Sequence, residues 1–326
     1  MKRSLLMVGL WAAALIIGLL LQDDYYVGIA TVTAFLAVWG QSWNIIGGLG
    51  GELSLGHSAF IAVGAYITVV LFQDYGVPPL LGTLIAVGVA VVFAAFIGVA
   101  TLRLRGPYFA LATLSIAAVL LSFIVHFKSV TGGANGLSLV FGTSDPAHFE
   151  FENYKSYYAI AMVLLLLVTV ITAWMYRSKL GLYLRASGAS EAAAAAAGVR
   201  IAGVRILALC ISAALTALGG VFYVFYAGFA DPNYLSGLDL SIDIALIAVI
   251  GGRNYLAGPI VGAIFFQVVD STANAYAGSY GGWNVFIFGL VVVLVVLVEP
   301  RGLLALGERS ARLVRRRATR TSLESA

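Results

Sequence analysis

A chain of 326 residues that is 61% hydrophobic and only 10% charged lacks the polar side chains to coat a water-facing surface; soluble domains sit nearer roughly 45–50% apolar and about 25% charged. This excludes a soluble enzyme, a disordered chain and a disulfide scaffold, and leaves a polytopic membrane protein of one integrated domain, residues 1–326. With a formal net charge of just +4, the information lies in where the charges stand. One cysteine, Cys210, and three histidines supply neither a disulfide nor metal-ligand spacing.

Crossing the hydrocarbon core takes about 20 apolar residues as a helix. In chain order the apolar runs are 5–21, 27–46, 53–72, 80–102, 107–127, 157–176, 203–228, 238–250, 255–275 and 283–298. None alternates as a barrel strand does. The fold class expected is therefore an all-α polytopic membrane protein with about ten transmembrane segments. Lys2 and Arg3 precede the first run, which is longer than a signal-peptide core, and no small-residue cleavage site precedes Asp23. It reads as a retained anchor.

Basic residues set orientation. With ten crossings and the N-terminus inside, every Lys and Arg except Lys128 and Lys155 falls on the inner side. The short run 238–250 is tested by the same count. Were it re-entrant, Arg253 and the Arg-rich tail would move outside, so it is expected to cross, completed by a partly unwound stretch around 231–237. Both termini are then cytoplasmic. The basic tail, 308–326, reads as an anchor on anionic lipid. It carries no interleaved aromatics, so it is no nucleic-acid site.

Chemistry-bearing motifs are missing from the sequence. No lysine follows a glycine as a phosphate-binding loop requires, and neither Gly-x-Ser-x-Gly nor His-Glu-x-x-His occurs. Ionisable residues are scarce mid-span, against an ion-coupled carrier. The chain is expected to be no enzyme, with no catalytic residue, metal site or cofactor of its own.

The polar exceptions are few. Gly47, Gly48, Gly50 and Gly51 interrupt apolar sequence, and Ser54, His57 and Ser58 follow at helical spacing. Broken helices in transporters line binding sites, so these three are candidates for a substrate pathway. The alternative is a helix cap with small-residue packing. Ser241 and Asp243 share the short run 238–250; they line the pathway or sit at its outer rim. Thr131 and Asn135 lie in the glycine-rich outer loop, as a gate or as a solvated turn. Gly251 and Gly252 open a second glycine-rich turn that faintly echoes the first.

The link 177–205 is the largest basic one between spans. Ser190 is a good N-cap, Glu191 suits the positive end of a helix, six alanines favour helix, and Gly198 is a natural stop. A helix of about two turns is too short to stand alone. It either rests on the protein's own spans or docks a cytoplasmic partner.

Gly181, Arg185, Ala186, Glu191, Ala193, Ala194, Ala196 and Gly198 stand at the spacing of the cytoplasmic coupling loop in branched-chain amino acid ABC transporter permeases. The chain resembles their M-type (LivM-like) subunit. The blocks Gly51–Tyr66, Leu102–Thr113, Thr131–Leu137 and Gly251–Pro259 resemble further family blocks in the family's order. Ser187-Gly-Ala-Ser190 departs from it, replacing the usual charged residues before the Glu. The resemblance implies an ABC importer transmembrane domain in the bacterial inner membrane. It implies a coupling loop at Gly181, Arg185, Glu191, Ala193, Ala194 and Gly198, a second homologous permease, and two cytoplasmic ATPase subunits that bind ATP-Mg. It also implies an extracytoplasmic amino-acid-binding protein that delivers the substrate. Branched-chain amino acids are the substrate class it implies, with urea, amides or aromatic acids in related systems.

Overall fold

A computed structural model describes Trp11 and residues 14–101, 104, 106–139, 145–253, 255–277, 282–299 and 302–305. The basic tail 308–326, Lys2, Arg3, and most of the first half of run 5–21 lie outside these residues.

Helix α1, Asp24–Asn44, opens where the Asp23 side chain accepts from the Tyr25 amide. It runs into a π turn, Ile45–Leu49. Residues 51–56 then lack regular structure, and α2, His57–Tyr75, begins. The predicted break is present. Ser54 falls inside it, before the helix, so the expected helical spacing of Ser54 with His57 and Ser58 does not hold. Both α3, Pro79–Ala100, and α4, Pro107–His126, start at a proline, whose missing N–H would be unpaired there anyway. Next come α5, Tyr154–Arg177, α6, Lys179–Ala189, α7, Glu191–Ala196, and α8, Ile201–Ala227. The chain closes with α9, Leu238–Gly251, α10, Gly258–Ala277, and α11, Trp283–Val298.

Helix α8 is the central post. Gly64 of α2 lies on the backbone of Ala217, and Gly220 of α8 lies on the backbone of Ile61; a Cβ at either would overlap main chain. Such close backbone approach is how membrane helices gain packing without a hydrophobic drive. Helix α1 is wedged between α5, α8, α9 and α10, with Phe35, Trp39 and Trp43 fully enclosed. The outer faces of α3 and α4 stay apolar yet exposed, as at Phe96 and Val119, which suits lipid as the solvent.

Among the described residues, six helical stretches are long and apolar enough to span a bilayer: Asp24–Leu49, α2, α3, α4, α5 and α8. The expectation of about ten is not met by this measure. Helix α9 has 14 residues and α11 has 16. Helix α10 has 20, but Gln267, Asp270 and Asn274 dilute its apolar character. Of run 5–21, residues 14–20 are helical, and Ala14 accepts from the Tyr158 hydroxyl at 2.8 Å.

The shortness of α9 has a structural cause. After α8 the chain forms a two-residue antiparallel ladder, Leu137–Ser138 with Phe229–Ala230, a small exception to the all-α expectation. It then descends through a turn, Pro232–Leu235, capped by Asp231. The Ser236 hydroxyl reaches the carbonyl of Ala117, midway along α4. The unwound stretch expected around 231–237 is thus a single helical turn, Pro232–Leu235, flanked by short non-helical links, and it precedes α9. Its end at Arg253 shares a groove with Arg185 and Gly188 of α6.

Candidate functional site

The predicted pathway residues fall into three places. Ser54, His57, Ser58 and Ser241 come together, each fully or almost fully buried. His57 Nδ1 lies 3.1 Å from Ser54 Oγ, and Nε2 lies 2.8 Å from Ser212 Oγ. The Ser212 hydroxyl donates to the Ser42 carbonyl at 2.6 Å. With its hydrogen so used, Ser212 accepts from Nε2–H, and in the neutral ring Nδ1 accepts from Ser54. The Ser58 amide donates to Ser241 Oγ at 2.9 Å, and that hydroxyl donates to Ser58 Oγ at 2.8 Å. Trp43 Nε1 donates to the Ser54 carbonyl at 2.7 Å. The Leu55 amide donates to Thr113 Oγ1 at 3.0 Å. These bonds tie the break to α1, α2 and α4, and the start of α2 to α8 and α9.

Asp243 stands apart. It is half-buried on α9, with Asp239 and Asp270 the charges that bear on it. Thr131 and Asn135 are in a third place, beyond the C-terminus of α4. Thr131 Oγ1 donates to the carbonyls of Ile124 and Phe127, so it closes its own turn. Asn135 is exposed.

The link expected to hold one short helix holds two. Helix α6 starts at Ser178, whose Oγ accepts from the Gly181 amide at 3.1 Å. Gly181 is pressed on the carbonyl of Met175 with no room for a side chain. Arg185 donates through Nη2 to the Tyr176 carbonyl at 3.0 Å and lies 5.9 Å from the Tyr176 ring centre. Helix α7 is capped as expected: Ser190 Oγ accepts from the Ala193 amide at 3.3 Å. At its far end Val199 N–H reaches Ala194 and Gly198 N–H reaches Ala195, with Gly198 at φ 84°. This is a Schellman closure, which needs the left-handed conformation glycine adopts freely. Ala194 is buried, while Ala192, Ala193, Ala195 and Ala196 are exposed.

The two glycine-rich turns pack on one another. Gly48 lies against the carbonyl of Arg253, and Gln41 Nε2 donates to the Leu256 carbonyl at 2.7 Å. Between them and α6 opens a groove of about 380 Å³ lined by Tyr176, Arg185, Gly188 and Arg253.

Several site residues escaped the sequence reading. Ser212 and Ser42 lie in unbroken apolar helices, and a lone serine there carries no signal. Arg205 read only as an inside basic residue, and Glu52 only as a member of the block Gly51–Tyr66. In the fold Arg205 Nη2 bonds both Glu191 of α7 and Glu52 of the break.

Residues 25–296 match the family described as "Branched-chain amino acid transport system / permease component". The chain is 26% identical over 305 residues to the high-affinity branched-chain amino acid transport system permease protein LivM of Salmonella typhimurium, covering 85% of this chain and 69% of that protein. It is 27% identical over 304 residues to LivM of Escherichia coli K12, with the same coverage. The probable branched-chain amino acid transport permease protein LivH of Methanocaldococcus jannaschii is 23% identical over 250 residues, which is 74% of this chain and 78% of that one. No solved structure matches the chain. Matched over most of its length, the chain belongs to the family of branched-chain amino acid transport permease components.

Proposed function

We propose that this chain is one of two permease subunits of an ABC importer that carries branched-chain amino acids across a bacterial cytoplasmic membrane. The observation that carries the reading is the α6–α7 pair. It is capped at both ends, seated on the spans from behind, and offers the exposed alanine face of α7 outward. Two ATPases carrying ATP-Mg dock there and on the equivalent loop of a homologous permease. An extracytoplasmic protein delivers the amino acid. Run 5–21, α9, α10 and α11 complete ten crossings, with both termini and α6–α7 in the cytoplasm. Binding energy in the partners shifts the population between outward- and inward-open states. Asp243, Thr131 and Asn135 are the reachable members of the pathway. Ser54, His57, Ser58 and Ser241 act on it from behind, as the joint about which the break changes shape.

Affinity purification of the tagged chain from its own operon tests this. A stoichiometric ATPase should accompany it, and Glu191→Lys and Gly198→Pro should each separate ATP hydrolysis from leucine uptake. Transport by the chain alone in vesicles would make it a self-contained carrier and sink the proposal. The ligand that stabilises the accompanying binding protein selects between branched-chain amino acids and smaller solutes such as urea or amides.

A further inference from the structure

Arg205 is the fifth residue of α8, the post on which α2 and α3 pack. Its Nη2 bonds two carboxylates that belong to different elements. Glu191 is the first residue of α7. Glu52 is the second residue of the irregular stretch 51–56. The three side chains are 17%, 22% and 9% exposed, respectively. Charge-assisted bonds so screened from water are strong and costly to break.

A second contact joins the same two parts. Gly188 of α6 is seated on the main chain of Gly50, where an added Cβ would lie 2.6 Å from the Gly50 oxygen. The α6–α7 pair is thus fixed to the stretch 50–52 by a backbone seat and by an ion triad. Two residues beyond Glu52 stands Ser54, held by His57 and by Trp43. His57 in turn holds Ser212 of α8. Only Leu53 separates the triad from the buried hub.

We propose that Arg205 is the positioning residue that converts displacement of α6–α7 into displacement of the broken segment 51–56, and so into rearrangement of the Ser54–His57–Ser212 hub. The proposal rests on the reading that an ATPase docks on α6–α7. It assigns coupling to one guanidinium whose two partners lie on either side of the transmission step. Losing one carboxylate leaves one pair intact. Losing the guanidinium leaves two carboxylates facing each other. The effect of Arg205→Gln should therefore exceed that of Glu52→Gln or Glu191→Gln, and Arg205→Lys should keep part of the coupling.

The test uses the full transporter, with both permeases, ATPases and binding protein, in proteoliposomes. ATP hydrolysis and uptake are read from the same vesicles. Arg205→Gln should lower uptake per ATP by about 10-fold, within the range of measured coupling energies, with normal ATPase content and hydrolysis retained. Glu52→Gln, the milder variant, should lower the ratio by less. An unchanged ratio in both variants overturns the proposal, because a merely structural tie would alter yield and leave the ratio alone. Hydrogen exchange on the purified chain judges the clamp without any ATPase. Arg205→Gln should raise exchange in both 50–56 and 190–197, and a rise in neither also overturns it. Wild-type vesicles that take up substrate with no ATP requirement would defeat the importer reading instead, while the exchange result still decides the clamp.

Discussion

His57 Nε2 and the Ser212 hydroxyl lie 2.8 Å apart although 155 positions separate them in the chain. Both residues are fully buried, and the hydroxyl passes its own hydrogen to Ser42. The bond locks the start of α2 to the middle of α8 and fixes the tautomer of the ring. Removing either partner strands a polar group where water cannot reach it. His57→Phe and Ser212→Ala should each destabilise the protein by about 2 kcal/mol. The double variant should cost less than the sum of the two, since the residues share one network. Thermal unfolding in detergent measures all three, and additive losses would show that the two residues do not act together.

The caps of α7 set how firmly its docking face is held. Ser190→Ala removes the side-chain acceptor of the Ala193 amide and should cost about 1 kcal/mol. Gly198→Ala meets open space, so its cost is purely the left-handed backbone at φ 84°, again about 1 kcal/mol. Either change should speed exchange of the Ala194 to Val199 amides about fivefold. Amides in α8 should not respond. Equal change across both helices would mean that α7 does not open on its own.

How far these features could be read in advance depends on their range along the chain. Ser190 and Gly198 were visible because a cap acts within three or four residues, and the chemistry is local. The break at 47–56 was visible because glycines cluster there. Helix α6 was not, since Gly181 and Gly188 lower its helix propensity; both glycines are demanded by backbone contacts, on Met175 and Gly50, that exist only in the fold. Ser212 and Arg205 were hidden for a similar reason, as their partners arrive from distant parts of the chain. Hydropathy found the ten apolar runs, yet among the described residues six helical stretches reach spanning length and composition. Helix α9 falls short because the chain before it is taken up by the separate turn Pro232–Leu235 and its flanking links.

The sidedness of the chain can be read with an impermeant maleimide. Replacing the lone cysteine, Cys210, gives a silent background. Asn135, Ala193 and Arg253 are all exposed. A cysteine at Asn135 should label in right-side-out vesicles. Cysteines at Ala193 and at Arg253 should label only in inside-out vesicles. The Arg253 position decides the crossing of α9, because a re-entrant α9 would put it on the same side as Asn135. Its place in one groove with Arg185 and Gly188 favours the crossing.

Gly188 offers the sharpest steric probe of how α6 meets the break. It is exposed on the side away from the contact, so a larger residue has solvent to enter, but its Cβ must point at the Gly50 carbonyl. Main chain cannot yield as a side-chain tip can. Gly188→Val should therefore lift α6 from the 50–51 stretch, at about 1–3 kcal/mol, without touching any charge of the Arg205 triad. Gly188→Ala should do the same more weakly. If the seat transmits movement, uptake per ATP should fall in the order wild type, Ala, Val, while hydrolysis persists. Pairing Gly188→Val with Arg205→Gln then separates seat from triad. Parallel routes to the same segment predict a double variant worse than either alone, and a double variant no worse than Arg205→Gln would assign the whole transmission to the triad.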